Sequence, residues 1–249
     1  MAQPLLSVRD LVVEFPTRRG TLRALDKVSF DIHEGEVLGM VGESGAGKSI
    51  TGAAIIGLIE PPGRIAGGEV WLRGQRIDNL APEAMRQVRG KRIGMVFQDP
   101  LTSLNPLYTV AHQLIETIRT HIPLSEAEAR KRAVALLDRV GIPAAARRID
   151  DYPHHFSGGM RQRVVIALAL CAEPELVLAD EPTTALDVSV QAQIIDVLKE
   201  ICAERGAAVM LITHDMGVIA ETADRVAVLY AGRLAEIGPV RDVITAAEQ

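Results

Sequence analysis

A chain of 249 residues, 48% apolar and 24% charged, is long enough to bury a full-sized core and has an ordinary globular composition. Its net charge of −5 argues against a nucleic-acid footprint, which needs a basic excess. The two cysteines, Cys171 and Cys202, stand in no C-x-x-C pair, so they suggest free thiols in a reducing compartment rather than a zinc or iron–sulfur site.

Leu5 to Phe15 reads as a strand, Pro16 to Gly20 as a turn, and Ala24 to Ile32 as a second strand. Phe15, in a chain only 3% aromatic, reads by itself as a core residue at a strand end. Val37-Leu38-Gly39-Met40-Val41 is an apolar run with the look of a buried strand. It leads into Gly42-Glu43-Ser44-Gly45-Ala46-Gly47-Lys48-Ser49, which matches the phosphate-loop pattern G-x-x-x-x-G-K-[ST] in full. Ala53, Ala54, Ile55, Ile56, Leu58 and Ile59 then give a short helix with an apolar face. In that strand–loop–helix setting the residue types fit nucleotide binding. Glycines 42, 45 and 47 let backbone N–H groups close around phosphate oxygens where a Cβ would obstruct them. The new helix adds its positive end. Lys48 places a charge near the outer phosphates, and the Ser49 hydroxyl can ligate Mg²⁺.

Further along, Gly67 to Gly74 and Arg92 to Phe97 read as strands, the latter ending at Gln98-Asp99-Pro100, and Leu101 to Pro106 has turn composition. Ser125 opens a helix with Ala133, Leu136, Leu137 and Val140 on one face, closed by Gly141 and Pro143. Residues 100–170 thus read as a helical lobe inserted in an α/β frame. Ser157-Gly158-Gly159 introduces a helix through Ala172, with Ser157 as N-cap and two glycines that permit close approach of an anion. Leu176 to Ala179 is a buried strand ending in Asp180-Glu181. Val188 to Ala203 is helical, Val209 to Thr213 a strand ending in His214-Asp215, and Arg225 to Tyr230 another strand. Alternating strands and helices mean a parallel sheet with helices on both sides, and ligand sites in such sheets collect at strand ends.

Asp180 therefore stands where Mg²⁺ on a phosphate needs an oxygen partner, and Glu181 beside it can polarise an attacking water. His214 follows directly on an apolar strand, whereas His154 and His155 have no metal-ligand spacing. The N-terminus has no basic stretch followed by an apolar one, so no secretion signal is read there. The longest apolar run, Val164 to Ala172, is far below the ~18 residues a membrane span needs. The chain reads as cytosolic, held at a membrane only through another chain.

Together, and in this order, these residues resemble the ATP-binding cassette ATPases from about Leu5 to Val243. Gly42 to Ser49 looks like their Walker A loop, Gln98 their Q-loop, and Phe156-Ser157-Gly158-Gly159-Met160 their signature. Leu176 to Asp180 with Glu181 looks like Walker B and its glutamate, Ala185-Leu186-Asp187 the D-loop, and His214 the switch histidine. The resemblance implies an α/β P-loop NTPase core, an N-terminal antiparallel β subdomain and an inserted helical subdomain, the whole spanning residues 5–245. It implies ATP and Mg²⁺ as cofactors. Phe15 becomes an adenine-stacking residue; Glu43, Ser44, Ala46, Ile50 and Asp187 join the nucleotide set; and Gln98 joins Ser49 and Asp180 around Mg²⁺. Glu181, His214, Gln98 and Lys48 are the catalytic group.

Gln98 to Pro106 and Glu181 to Gln193 are similar to the dipeptide, oligopeptide and nickel import ATPases. Met160 stands where the wider family has Gln, and Ile50 where many relatives carry a hydroxyl. The chain ends soon after Gly238-Pro239-Val240, without the His-Pro-Tyr segment and cysteine cluster of longer peptide-import members. The subgroup implies permease subunits, a second ATPase subunit and, indirectly, a periplasmic or extracellular solute-binding protein as partners, at the cytoplasmic face of the membrane. Nickel and glutathione are the alternative substrates. The competing class is a cassette protein acting on nucleic acid or ribosomes. Such proteins usually carry two cassettes or a long inserted arm, and a basic surface; none of these is found here. A GTPase is disfavoured because there is no Asn-Lys-x-Asp motif.

Overall fold

The computed structural model describes residues 3–183 and 188–247. The chain forms two compact units, Met1–Val88 with Gly206–Gln249 and, inserted between those segments, Arg89–Arg205.

The first segment of the outer unit runs through β1 (Leu6–Thr17), β2 (Gly20–Ile32), β3 (Val37–Gly42), α1 (Lys48–Ile55), β4 (Arg64–Leu72), β5 (Gln75–Arg76) and α2 (Pro82–Val88). The inserted unit carries β6 (Ile93–Val96), α3 (Pro100–Ser103), α4 (Val110–His121), α5 (Glu126–Arg139), α6 (Ala145–Arg148), α7 (Gly158–Leu170), β7 (Leu176–Asp180) and α8 (Val188–Arg205). The outer unit resumes with β8 (Ala208–Ile212), α9 (Met216–Thr222), β9 (Arg225–Tyr230), β10 (Arg233–Pro239) and α10 (Val240–Ala247).

In the outer unit one sheet is antiparallel, in the order β2-β1-β4-β5. Leu6, Val8, Leu11 and Val13 of β1 are buried, and the register shifts between Val8 and Leu11 keep the apolar set on the inner face across a break in simple alternation. In the other sheet, β3 lies between β8 and β9, parallel to both, and β10 runs antiparallel beyond β9. A strand parallel-paired on both sides is covered on both faces, so it reads as a continuous apolar run. Leu38, Met40 and Val41 are accordingly buried together.

The inserted unit contains the parallel pair β6–β7 and a core built where α4, α5 and α7 meet, with Leu114, Ile118, Leu137, Val164 and Ile166 buried. Ser125 and Glu128 form a capping box on α5. The Ser125 hydroxyl accepts from the Glu128 N–H at 3.3 Å, and the Glu128 carboxylate accepts from the Ser125 N–H at 2.9 Å. We expect Ser125→Ala to lower the melting midpoint by about 2–4 °C. The hydrogen bond from the Ser125 hydroxyl holds the Glu128 carboxyl below its usual range. The stabilisation it carries is fully present above the usual range and is lost as the pH falls below that range through the lowered folded value, so the gap between parent and variant narrows in acid. Melting curves in neutral and acid buffer check both points. Cys171 and Cys202 are both buried, and burial pushes each thiol up to about 12.

Several local expectations change. The turn expected at Pro16–Gly20 narrows to Arg18-Arg19, because the hairpin pairs as far as Thr17 with Gly20. The helix after the phosphate loop stops at Ile55 instead of carrying Leu58 and Ile59, since Gly57 turns left-handed. Pro100–Ser103 is a short helix rather than a turn, capped by the Asp99 carboxylate accepting from the Leu101 N–H at 2.8 Å. Among the described residues, no helix is long and apolar enough to cross a membrane.

Candidate functional site

The phosphate-loop segment leaves the C-terminal end of β3 and is pinned from two sides. Gly42, at φ 152°, lies so close to β9 that an added Cβ would stand 2.2 Å from the Leu229 carbonyl oxygen. At Gly47, φ 105°, a Cβ would stand 2.6 Å from the Leu25 side chain of β2. These two glycines thus serve the approach of the loop to its own chain, where the sequence suggested only the approach of phosphate. Gly45 fits the sequence reading, with φ 80° and, among the described residues, nothing within 4 Å of an added Cβ. The Ala46 carbonyl accepts from the Gly232 N–H at 3.0 Å, and the Gly232 carbonyl from the Asp26 N–H at 2.8 Å, which ties the loop to the β9–β10 turn and to β2.

Glu43, Ser44, Gly45 and Ser49 are exposed, Ile50 is half-buried, and Ala46 is buried. Lys48 is only 6% exposed, and its ammonium donates to the carbonyls of Gly42 at 2.8 Å and Glu43 at 3.0 Å. The Thr51 hydroxyl donates to the Gly47 carbonyl at 2.9 Å. Helix α1 begins at Gly47 with no side-chain cap and no acidic residue in its first turn. A helix start without an internal acceptor, next to an exposed glycine loop and a lysine ammonium, fits a phosphate chain.

His214 joins this group through the sheet. Met40 of β3 is in register with Ile212 of β8, and the Thr213 N–H donates to the Met40 carbonyl at 3.2 Å. Both strands therefore release their chains at the same edge, the phosphate loop from one and His214 from the other. His214 is exposed, and its position is fixed by Asp215, whose carboxylate caps α9 by accepting from Gly217 at 2.8 Å and Val218 at 3.2 Å.

The inserted unit assembles a second group. Val96 of β6 is in register with Ala179 of β7, so Gln98 and Glu181 leave adjacent strand ends. The Gln98 amide donates to the Glu181 carboxylate at 2.8 Å. Asp180, 6% exposed, closes β7. Glu181 follows at φ 43°, a left-handed backbone that costs a non-glycine residue about 1–3 kcal/mol and swings its side chain out of the strand alternation. Mg²⁺ bound through nucleotide phosphates needs only one or two protein oxygens, a demand that Ser49 and Asp180 have the chemistry to meet. At the start of α7 the Ser157 hydroxyl accepts from the Met160 N–H at 3.3 Å, and one Arg148 N–H reaches the Met160 sulfur at 3.5 Å. Ser157 and Gly158 are exposed and Gly159 half-buried. Asp187, with Ala185 and Leu186, lies outside the described residues.

Phe15, read first as core, is half-buried near the end of β1, with its ring edge against Gly63. Sequence reading missed the clamp of Leu25, Leu229 and Gly232 on the loop; its only trace was the Tyr-Ala-Gly-Arg turn after the apolar strand Arg225 to Tyr230. The outer unit supplies an anion cradle, a cation and a histidine; the inserted unit supplies a carboxylate pair, an amide and a helix start capped by Ser157. Phosphoryl transfer runs on such positioning and charge stabilisation rather than on covalent steps.

Residues 25–184 match the family described as ABC transporter. The chain is 50% identical over 240 residues to the oligopeptide transport ATP-binding protein OppD of Bacillus subtilis (strain 168), covering 96% of this chain and 67% of that protein. It is 49% identical over 242 residues to the dipeptide transport ATP-binding protein DppD of the same organism, covering 97% and 72%. A solved dimer of the ATP-binding cassette MJ0796 in a post-hydrolysis state, bound to ADP and Pi, superposes with a TM-score of 0.86 at 30% identity, over 95% of this chain and 99% of that one. That likeness gives the fold: an ATP-binding cassette core with an antiparallel N-terminal subdomain and an inserted helical region.

Proposed function

This chain belongs to the ABC transporter family, as an ATP-binding and ATP-hydrolysing member that uses Mg²⁺, and from that premise we propose that it powers the import of peptides. The names of the oligopeptide and dipeptide relatives support that substrate class over nickel or glutathione. Permease subunits, a second ATPase subunit and a solute-binding protein are its partners. Phe97, Leu101, Leu107 and Tyr108 are large apolar side chains left exposed in the inserted unit, Leu107 at 79%, and they form the surface that a permease segment covers. Deleting the gene is expected to abolish uptake of a labelled tripeptide and leave nickel uptake intact. The reverse pattern would overturn the substrate class.

Within the site, Lys48 and the loop amides hold the β- and γ-phosphates. Ser49, Gln98 and Asp180 surround Mg²⁺. Glu181 orients the water, and Gln98 and His214 follow the γ-phosphate. Ser157-Gly158-Gly159 receives the nucleotide of the partner subunit.

The observation that carries the shared site is Gly158. Among the described residues a Cβ there would meet nothing within 4 Å, so they give no reason for a glycine at the mouth of α7. The need comes from something that docks against it. We expect Gly158→Leu to melt like its parent while abolishing the ATP-dependent pairing of a Glu181→Gln chain in light scattering. Pairing that survives the leucine would place the helix start outside the contact.

A further inference from the structure

We infer that Gly63 is a positioning residue for the nucleobase, setting the orientation of the Phe15 ring; the inference rests on the assignment of Phe15 to base stacking. The register of β1 and β4 carries the geometry. Val13 pairs with Ile65 and Glu14 with Arg64, and one further step brings Phe15 opposite Gly63, immediately before β4 begins. An ion pair between Arg64 and Glu14 at 3.5 Å fastens the two strands next to that position. Residues directly opposite on antiparallel strands project from the same face, so whatever stands at 63 shares space with the ring.

Glycine leaves that space to the aromatic. A methyl group added at Gly63 would lie 2.4 Å from Phe15 Cε1, 2.8 Å from Ile59 Cγ2 and 2.9 Å from the Glu60 carbonyl oxygen. The ring thus lies across the neighbouring backbone in a way that any side chain at 63 forbids. On its other flank Phe15 is paired with Leu22 of β2, which is 61% exposed. The ring is bracketed by a backbone without a side chain on one strand and an open leucine on the other. With Phe χ1 confined to staggered wells, filling the glycine side forces the ring into another well and turns its face away from its present direction. Gly63 has no left-handed φ among the special backbone positions, so a substitution there acts through space and not through backbone strain.

The test is a cycle of binding measurements on the full chain, comparing Mg-ADP with Mg-pyrophosphate, which has the phosphates without the base. Stacking on an aromatic is worth enough that Phe15→Ala should weaken ADP about tenfold. Gly63→Ala should weaken ADP about fivefold, leave pyrophosphate unchanged, and add nothing in the Phe15→Ala background. If Phe15→Ala weakens ADP and Gly63→Ala does not, or if the two losses add, Gly63 does not act through the ring and the inference is wrong. An equal loss of pyrophosphate in Gly63→Ala would mean that the residue holds the loop through Ile59 and Glu60, which also overturns it. If Phe15→Ala itself leaves ADP binding unchanged, the base-stacking assignment fails, and this inference with it.

Discussion

Glu181→Gln is expected to bind Mg-ATP as tightly as the parent and to turn it over roughly a hundred to ten thousand times more slowly. Shape and backbone are conserved in the change. Glutamine accepts the left-handed φ of 43° as readily as glutamate does, and its amide oxygen still accepts from Gln98 where the carboxylate did at 2.8 Å. What is lost is the carboxylate that we propose takes the proton of the attacking water. The phosphate loop lies in a different stretch of chain, so affinity should not move, and a fall in kcat with unchanged nucleotide binding is the signature. Steady-state hydrolysis in the assembled transporter, set beside a nucleotide titration, decides the matter. Hydrolysis within a few-fold of the parent would remove Glu181 from the role.

Lys48→Ala should show the opposite pattern, losing about ten- to a hundredfold in ATP affinity. The ammonium is nearly buried and held by the carbonyls of Gly42 and Glu43, so it is pre-placed over the loop before any phosphate arrives. Removing it takes away a charge-assisted contact to the phosphates and two bonds that shape the loop. Lys48→Met separates the ammonium from the packing of the stem, because it keeps the buried stem and loses the charge with both loop bonds. Similar losses in both variants identify the ammonium, not the stem, as the larger part. Titration of a fluorescent ATP analogue reads the affinity, and parental binding by Lys48→Ala would contradict the placement.

The motifs were legible because their chemistry is local. Strand, glycine loop, lysine and helix follow one another between Val37 and Ile55, and Leu176 to Glu181 announces itself as an apolar run ending in acids. Parallel strands buried on both faces, such as Val37 to Gly42 and Ala208 to Ile212, could be found for the same reason. Long-range reasons stayed hidden. Nothing near Gly42 in sequence says that Leu229 presses on it, or near Phe15 that Gly63 lies opposite, since both depend on strand register. Short elements were lost as well. Pro100–Ser103 is a four-residue helix made by one aspartate cap, and β10 escaped because Arg233, Glu236 and Gly238 break its apolar pattern.

The depth of the two natural cysteines makes the chain a ready host for spectroscopic probes. A thiol pushed up to about 12 carries, at neutral pH, roughly a thousandth or less of the thiolate of an ordinary exposed cysteine, and reagents must also reach it through packed side chains. Cysteines introduced at Leu107 and Tyr230, exposed positions in different units, would therefore take up spin labels or fluorophores while Cys171 and Cys202 stay silent. Distances between such labels could be followed through nucleotide binding and hydrolysis without stripping the protein of its own cysteines.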